Sequence, residues 1–445
     1  MPTTNTDAGE PSPSSFTLPI CAAPSTSTHP ASLPSERGKE NENPSPISPT
    51  ASAYVPRFCD IGINLTDPVF IGLYNGTQRH PSDLHDVVRR ARDVGCKKLI
   101  VTGSDLKHSE RALDLCDEFP GTVYATIGVH PCNASSLTPS VLQKLEALAD
   151  QGKYEHRVVA FGEIGLDYDR LELCPKHIQC LAFNYQLNIA VKLQLPLFLH
   201  CRAAHEHFME CLSIYSRRLP KRGVVHSFTG TLEEMQELVA QGWHIGVNGC
   251  SMKTEENCAV VKAIPLERLH IETDGPWCEI RPSHASSAVL SKMRAELAPP
   301  PQAEAGNAAR GNNGQGSNRG NRKSAEGEDP AMGWGGWKSV KKERWVEGAT
   351  IKGRNEPCFI GRVAWAVAGI KGISVEEVCE AAWKNSVRMF GMGEELPRED
   401  RLDPDTEEDI EGMTEAEAKE TLLKAQDWLL RECGGEAQSR WAEGM

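Results

Sequence analysis

From about residue 54 to residue 278, eight short apolar runs alternate with amphipathic helical segments, and few folds accept that rhythm. The runs are "YVPRFCDIGINL" (54–65), "KKLIVTG" (97–103), "VYATIGVHP" (123–131), "VVAFGEIGLDY" (158–168), "LPLFLHCR" (195–202), "GVVHSF" (223–228), "GWHIGVNG" (242–249) and "RLHIETDGPW" (268–277). Between the first two, Leu84, Val87, Val88, Ala91 and Val94 recur at helical spacing after Ser82. The tetrad "TLEE" (231–234) has the form of a capping box ahead of Met235, Leu238 and Val239. Strand and helix in alternation predict an α/β chain with a parallel sheet, and eight repeats predict a TIM (β/α)8 barrel.

The runs end on polar groups: Asp60 and Asn64, then His130, Glu163, His200, His226, Asn248 and Asp274. In a barrel of this kind the C-terminal strand ends converge on one face, where active sites sit. Singly these signals are weak, because a lone strand-end histidine is commonly structural and an Asp before Gly-Pro serves turns. Together, acids and imidazoles converging on one pocket form a ligand set for divalent metal. Glu163 is the sharpest member. It stands where the apolar pattern of its run stops, and an ionised carboxylate there costs several kcal/mol unless paired, hydrogen-bonded or metal-bound. One or two cations would compensate it.

Composition closes off other classes. The first 50 residues are rich in Ser, Pro and Thr and poor in large apolar side chains, so residues 1–53 are expected to be a disordered tail. No stretch approaches a membrane span, and neither a signal peptide nor a transit peptide opens the chain, so an intracellular protein of cytoplasm, nucleus or both is expected. Fifteen cysteines lack any C-x-x-C pair and many lie inside apolar runs; they read as reduced thiols, with neither zinc knuckle nor disulfide framework. A net charge of −13 argues against coating nucleic acid by bulk electrostatics, but leaves room for a local site.

The stretches "DIGINLTDP", "GVHP", "GEIGLDYDR", "LFLHCRAAHE", "VVHSFTGT", "NGCSMKTEEN", "IETDGPWC" and "GRNEP" resemble the TatD family of metal-dependent deoxyribonucleases over about residues 57–393, an insertion aside. The resemblance implies a TIM barrel akin to the amidohydrolases and a hydrolase that cuts DNA phosphodiester bonds. It carries divalent-metal ligation to Glu163, His200, His226 and Asp274. On that reading Glu163 bridges or orients the metal, His200 and His226 bind it, and Asp274 both ligates and takes the proton of the attacking water. His130, Arg202 and His205 are candidates for phosphate contact, with a salt bridge at a loop base the alternative for the latter two.

One departure bears on the metal. Many relatives carry H-x-H on the first strand, where this chain has Gly62 and Asn64. Asn64 is expected to coordinate through its amide oxygen or hold a water, and a second ion to bind loosely or arrive with substrate. Open, oxygen-rich coordination favours Mg2+ or Mn2+, with Zn2+ the alternative. Two other readings stand beside the nuclease: an amidohydrolase-type enzyme of carbonyl or ester substrates, and a non-catalytic barrel scaffold. DNA is the expected partner, with no membrane and no obligate protein partner.

Outside the barrel pattern, residues 297–333 are Gly-, Asn-, Pro- and Ala-rich and are expected to be a disordered insertion within a domain spanning 54–393. "WGGWKSVKKERW" (334–345) mixes Trp with Lys and Arg; it suits base stacking or an ordinary loop packing one Trp on the barrel. Ser374 and Glu377 form a second capping box, and Asn355 and Glu356 are expected to buttress the site. Residues 394–445 read as an acidic tail with a helix over 414–433.

Overall fold

The computed structural model describes residues 54–219, 223–297 and 336–395, with Glu420, Leu423, Lys424, Asp427, Trp428 and Arg431 beyond them. Expectations for residues 1–53, for nearly all of the 297–333 insertion and for most of the C-terminal segment lie outside the described residues. The compact unit runs Tyr54–Met445.

All eight anticipated strands form, in one parallel sheet whose spatial order is the sequence order. They are β1 Phe58–Ile63, β2 Cys96–Val101, β3 Val123–Ile127, β4 Val158–Asp167, β5 Leu197–Arg202, β6 Val224–Val225, β7 His244–Val247 and β8 Leu269–Ile271. Asp274 N–H donates to Gly62 O at 2.8 Å and Asn64 N–H to Gly275 O at 2.9 Å, so the turn after β8 joins β1 and closes the ring.

Helices α1 Leu84–Asp93, α2 Leu106–Glu118, α3 Pro139–Tyr154, α4 Lys176–Leu193, α5 His205–Tyr215, α6 Leu232–Ala240, α7 Glu255–Ala263 and α8 Ala285–Leu297 follow the strands in turn. The anticipated Thr231–Glu234 capping box opens α6. Two more helices, α9 Ile360–Lys371 and α10 Val375–Phe390, complete the unit, the latter through the Ser374–Glu377 box. Trp383, Val387 and Phe390 of α10, with Met392 beyond it, pack on Cys59, Ile100, Ala160, Phe198 and Val224 inside the ring. Lys98 is stitched beneath them, its Nζ donating to Gly121 O at 3.0 Å and Met392 O at 2.9 Å. That plug seals the N-terminal end of the barrel. Chemistry is left to the opposite mouth.

Most strands stop short of their sequence runs, because the polar residues that end each run lie in the following loops. Asn64, His130, His226, Asn248 and Asp274 all lie past the last paired residue of their strands. β4 departs the other way: it continues through Glu163 to Asp167, so that acid sits inside the strand and not at its end. A register shift against β5 between Gly162 and Ile164 carries it. Gly162, at φ +154°, lies so close to β5 that a Cβ there would meet Phe198 O at 2.1 Å, which only glycine permits.

Asp60 is also displaced from its expected place at the mouth. It is wholly buried, accepting from Thr273 N at 2.8 Å and Thr273 Oγ1 at 2.5 Å, and locks β1 to β8. Glu356 buttresses from outside, in a buried quartet with Arg90, Arg354 and Asp83, while Asn355 Nδ2 donates to Thr273 O at 2.8 Å. Of the tryptophan-rich segment, Trp345 stacks on His80 of the β1–α1 loop with ring centroids 5.5 Å apart, and Lys342 lies over Tyr74. Trp345 and Lys342 thus pack within the loops, and Trp334 lies outside the described residues. Trp428 is buried and donates to Glu210 Oε2 on α5 at 2.9 Å. None of the thirteen described cysteines is in a disulfide, and among the described residues no single helix is long and apolar enough to cross a membrane.

Candidate metal centre

One oxygen organises the mouth. Glu163 Oε1 lies 2.7 Å from His226 Nε2, 2.9 Å from His200 Nδ1 and 3.4 Å from His130 Nε2. The close β4–β5 approach at Gly162, and again at Gly165 where a Cβ would meet His200 O at 1.9 Å, brings Glu163 and His200 side by side. His130 and His226 enter from the loops after β3 and β6.

The far sides of the two rings nearest Glu163 also meet carboxylates. His200 Nε2 lies 3.1 Å from Asp167 Oδ2, and His226 Nδ1 lies 3.5 Å from Glu272 Oε1. Glu272 Oε1 is held by donation from Ser227 N–H at 2.6 Å and Asn248 Nδ2 at 3.1 Å. Such outer carboxylates fix ring orientation and tautomer at metal sites. Sequence reasoning missed Asp167 and Glu272, though for Asp167 a signal was there: it lies four residues after Glu163 on one strand and so shares its face.

His130 behaves differently. Cys132 N–H donates to its Nδ1 at 3.0 Å, so a neutral ring carries its proton on Nε2 and points a donor at the pocket. Burial pushes its pKa down to about 4, keeping it neutral. Burial likewise opposes charge on His200 and His226, but hydrogen bonds to Asp167 and Glu163 raise the first. The charges of Glu163 and Glu272 hold the second well above the imidazole range. Burial alone would raise Glu163, yet His130, His226 and His200 outweigh it and hold the carboxyl well below the usual carboxylate range.

Asp274 reaches the same mouth from the turn after β8. Its Oδ1 accepts from Asn64 Nδ2 at 2.9 Å and its Oδ2 from Cys278 Sγ at 3.1 Å. Asn64 therefore presents its amide NH2 to an acid. Burial pushes Asp274 up to about 7, with Glu272 and Glu163 adding to the rise and His226 opposing it. Arg202 and His205 line a cavity of about 650 Å³ that Phe228, Thr229 and Glu234 also wall. Arg202 Nη2 donates to Thr229 Oγ1 at 3.4 Å, and His205 Nε2 meets Glu237 Oε2 of α6 at 2.9 Å.

The residues present fit a divalent cation. Glu163, His200 and His226 offer ligand atoms within 4.8 Å of one another, as do His130, Asp167 and His200; Asp274 is in neither group. Glu272 Oε2 is buried without a hydrogen-bond partner, and a Cβ on Gly62 would come within 2.4 Å of it. Nitrogen and oxygen donors in this mixture suit Mg2+, Mn2+ or Zn2+ over soft metals.

A closed parallel barrel with acid and imidazole ligands gathered at its C-terminal mouth defines a metal-binding hydrolase-type barrel. The chain belongs to the TatD-related DNase family, whose match covers residues 59–391. It is 44% identical over 340 residues to the deoxyribonuclease Tat-D of Schizosaccharomyces pombe, covering 75% of this chain and 96% of that one. It is 39% identical over 233 residues to the 3′–5′ ssDNA/RNA exonuclease TatD of Yersinia pseudotuberculosis, covering 51% of this chain and 84% of the other. Among solved structures, an uncharacterized amidohydrolase from Saccharomyces cerevisiae superposes with a TM-score of 0.62 at 34% identity, over 75% of this chain and 100% of that one.

Proposed function

We propose that the protein is a divalent-metal-dependent deoxyribonuclease that removes nucleotides from single-stranded DNA, working from the 3′ end with Mg2+ or Mn2+. The observation that carries the proposal is the convergence of three imidazoles on one oxygen of Glu163 at the barrel mouth. Family membership supports the phosphodiester chemistry, and the Yersinia relative supports the strand and the polarity.

Glu163, His200 and His226 are the residues that would hold the ion, one or two per chain, and Asp274 would complete the set. When bound, the ion supplies Lewis-acid stabilisation of the phosphate charge and a more acidic attacking water. The chain's own groups do the rest. Asp167 and Glu272 keep the outer nitrogens of His200 and His226 protonated, so the inner nitrogens face Glu163. His130 offers its Nε2 proton to a non-bridging phosphate oxygen, and Arg202 offers a fork to a neighbouring phosphate. Asp274 takes a proton from water at Oδ2, while Asn64 steadies Oδ1. A scaffold would gain nothing from so many buried charges, which cost several kcal/mol each when unpaired.

The test is cleavage of DNA labelled separately at its 5′ and 3′ ends, with Mg2+, Mn2+ or EDTA, in wild type and Glu163→Ala. Metal-dependent shortening from the 3′ end, lost by at least about a hundredfold in the variant, is expected. Full activity in Glu163→Ala, or no cutting by folded, metal-loaded wild type, would end the proposal.

A further inference from the structure

The turn Asp274–Gly275–Pro276–Trp277 couples a candidate ligand to an aromatic ring in solvent. Trp277 N–H donates to Asp274 O at 3.0 Å, which makes a four-residue β-turn and keeps the two Cα atoms within about 7 Å. Trp277 is 58% exposed, the only exposed tryptophan among the described residues; Trp243, Trp383 and Trp428 are buried. An indole in water forfeits a large burial gain, so its position asks for a partner.

The turn beneath it is rigid. Asn64 N–H holds Gly275 O at 2.9 Å, Asn355 N–H holds Pro276 O at 3.0 Å and Asn355 Nδ2 holds Thr273 O at 2.8 Å. A Cβ on Gly275 would meet Asn355 O at 2.9 Å, so the strap from Asn355 lies directly against it. Exposed apolar side chains continue on other loops of the same mouth, at Ile71 after β1 and at Leu171 and Leu173 after β4. A net charge of −13 means that affinity for a polyanion must come from somewhere other than bulk attraction. Stacking is indifferent to that charge.

Resting on the nuclease reading above, we infer that Trp277 is a base-stacking platform: it grips the nucleobase about one residue from the phosphate held at Glu163 and Asp274. An unstacked, single-stranded base can reach an exposed indole, and every base has a face to offer. A duplex keeps its bases inside. The same residue therefore favours single-stranded substrate with little preference for sequence. It is a positioning residue, acting on a neighbouring nucleotide and not on the reacting atoms.

The experiment uses the full chain as wild type, Trp277→Ala and Trp277→Phe, with a 5′-labelled single-stranded oligonucleotide and the same strand carrying abasic residues at its 3′ end. Binding is read by fluorescence anisotropy in EDTA, and KM and kcat in Mg2+. Trp277→Ala is expected to raise Kd and KM about tenfold on the base-bearing strand, with Phe retaining most of the affinity. Its kcat is expected within about twofold of wild type. On the abasic strand all three proteins should bind alike. Unchanged Kd and KM in Trp277→Ala, or an equal loss on the abasic strand, would overturn the stacking site while leaving the nuclease intact. No cleavage of any strand by metal-loaded wild type would overturn both.

Discussion

Replacing Asp167 by asparagine changes one atom's charge and sets two hydrogen bonds in conflict. In the wild type, Oδ2 receives His200 Nε2 at 3.1 Å, while Oδ1 receives Asp169 N–H at 3.1 Å. Both are acceptor roles, and an amide has one acceptor and one donor end. The backbone beneath the side chain is fixed, because Asp167 N–H donates to Gln179 Oε1 at 2.7 Å and its C=O accepts from Gln179 Nε2 at 2.8 Å. If the amide oxygen serves His200, the NH2 collides with the donor of Asp169. If it serves Asp169, His200 must accept at Nε2 and move its proton to Nδ1, the nitrogen that faces Glu163.

Either way a charge-assisted hydrogen bond worth about 1.5–3 kcal/mol is lost. Because the loss falls on the orientation of a candidate metal ligand, it should appear as a roughly 10–100-fold weaker divalent affinity. Titrating Mn2+ into the protein and following free Mn2+ by EPR reads that affinity without turnover. Histidine 15N shifts in the metal-free variant read the tautomer of His200 separately. An Asp167→Asn protein that binds Mn2+ within about twofold of wild type would refute the reasoning.

Two further predictions concern stability. Asp60 is pushed up to about 8 by burial, with Thr273 opposing, so between about pH 4 and 8 the folded chain holds a proton that the unfolded chain has released. That contribution is present in full below the unfolded pKa and is lost as pH rises through the folded one. Asp60→Asn, which never ionises, should therefore gain on wild type between pH 5 and pH 8, on the order of 1–3 kcal/mol, by urea denaturation; a constant difference would exclude the assignment. In the second, Glu356→Gln leaves Arg90 and Arg354, each 2.8 Å from the lost charge and almost wholly buried, to share Asp83. A loss of about 3–5 kcal/mol is expected from the same assay, and less than about 1 kcal/mol would show that the quartet is not load-sharing.

The barrel was legible because its signal is repetitive: eight apolar runs and their helices survive an error at any one of them. The candidate ligands were legible because each stands at the polar end of such a run. Partners across the ring were not. Nothing beside His205 in sequence says that Glu237, a helix away on α6, pairs with it. The position of Glu163 inside β4 was hidden for a related reason: a register shift between strands is a property of two segments, and no single run displays it. Asp167 lies within the fourth run, but its contact with His200 belongs to the neighbouring strand, and no single run displays that.

The place of Gly62 follows from the same geometry and changes the meaning of the absent H-x-H pair. Glu272 Oε2 fills the space where a Cβ on residue 62 would stand, at 2.4 Å. Any side chain there would push Glu272 aside and with it the carboxylate that faces His226 Nδ1. Gly62 is thus a clearance for a brace, and Asn64 two residues on steadies Asp274 by donating to Oδ1. First-strand residues that would contribute imidazoles in an H-x-H barrel here act through the acids of β8 and its turn. The imidazoles that face Glu163 accordingly come from β5 and from the loops after β3 and β6, not from β1.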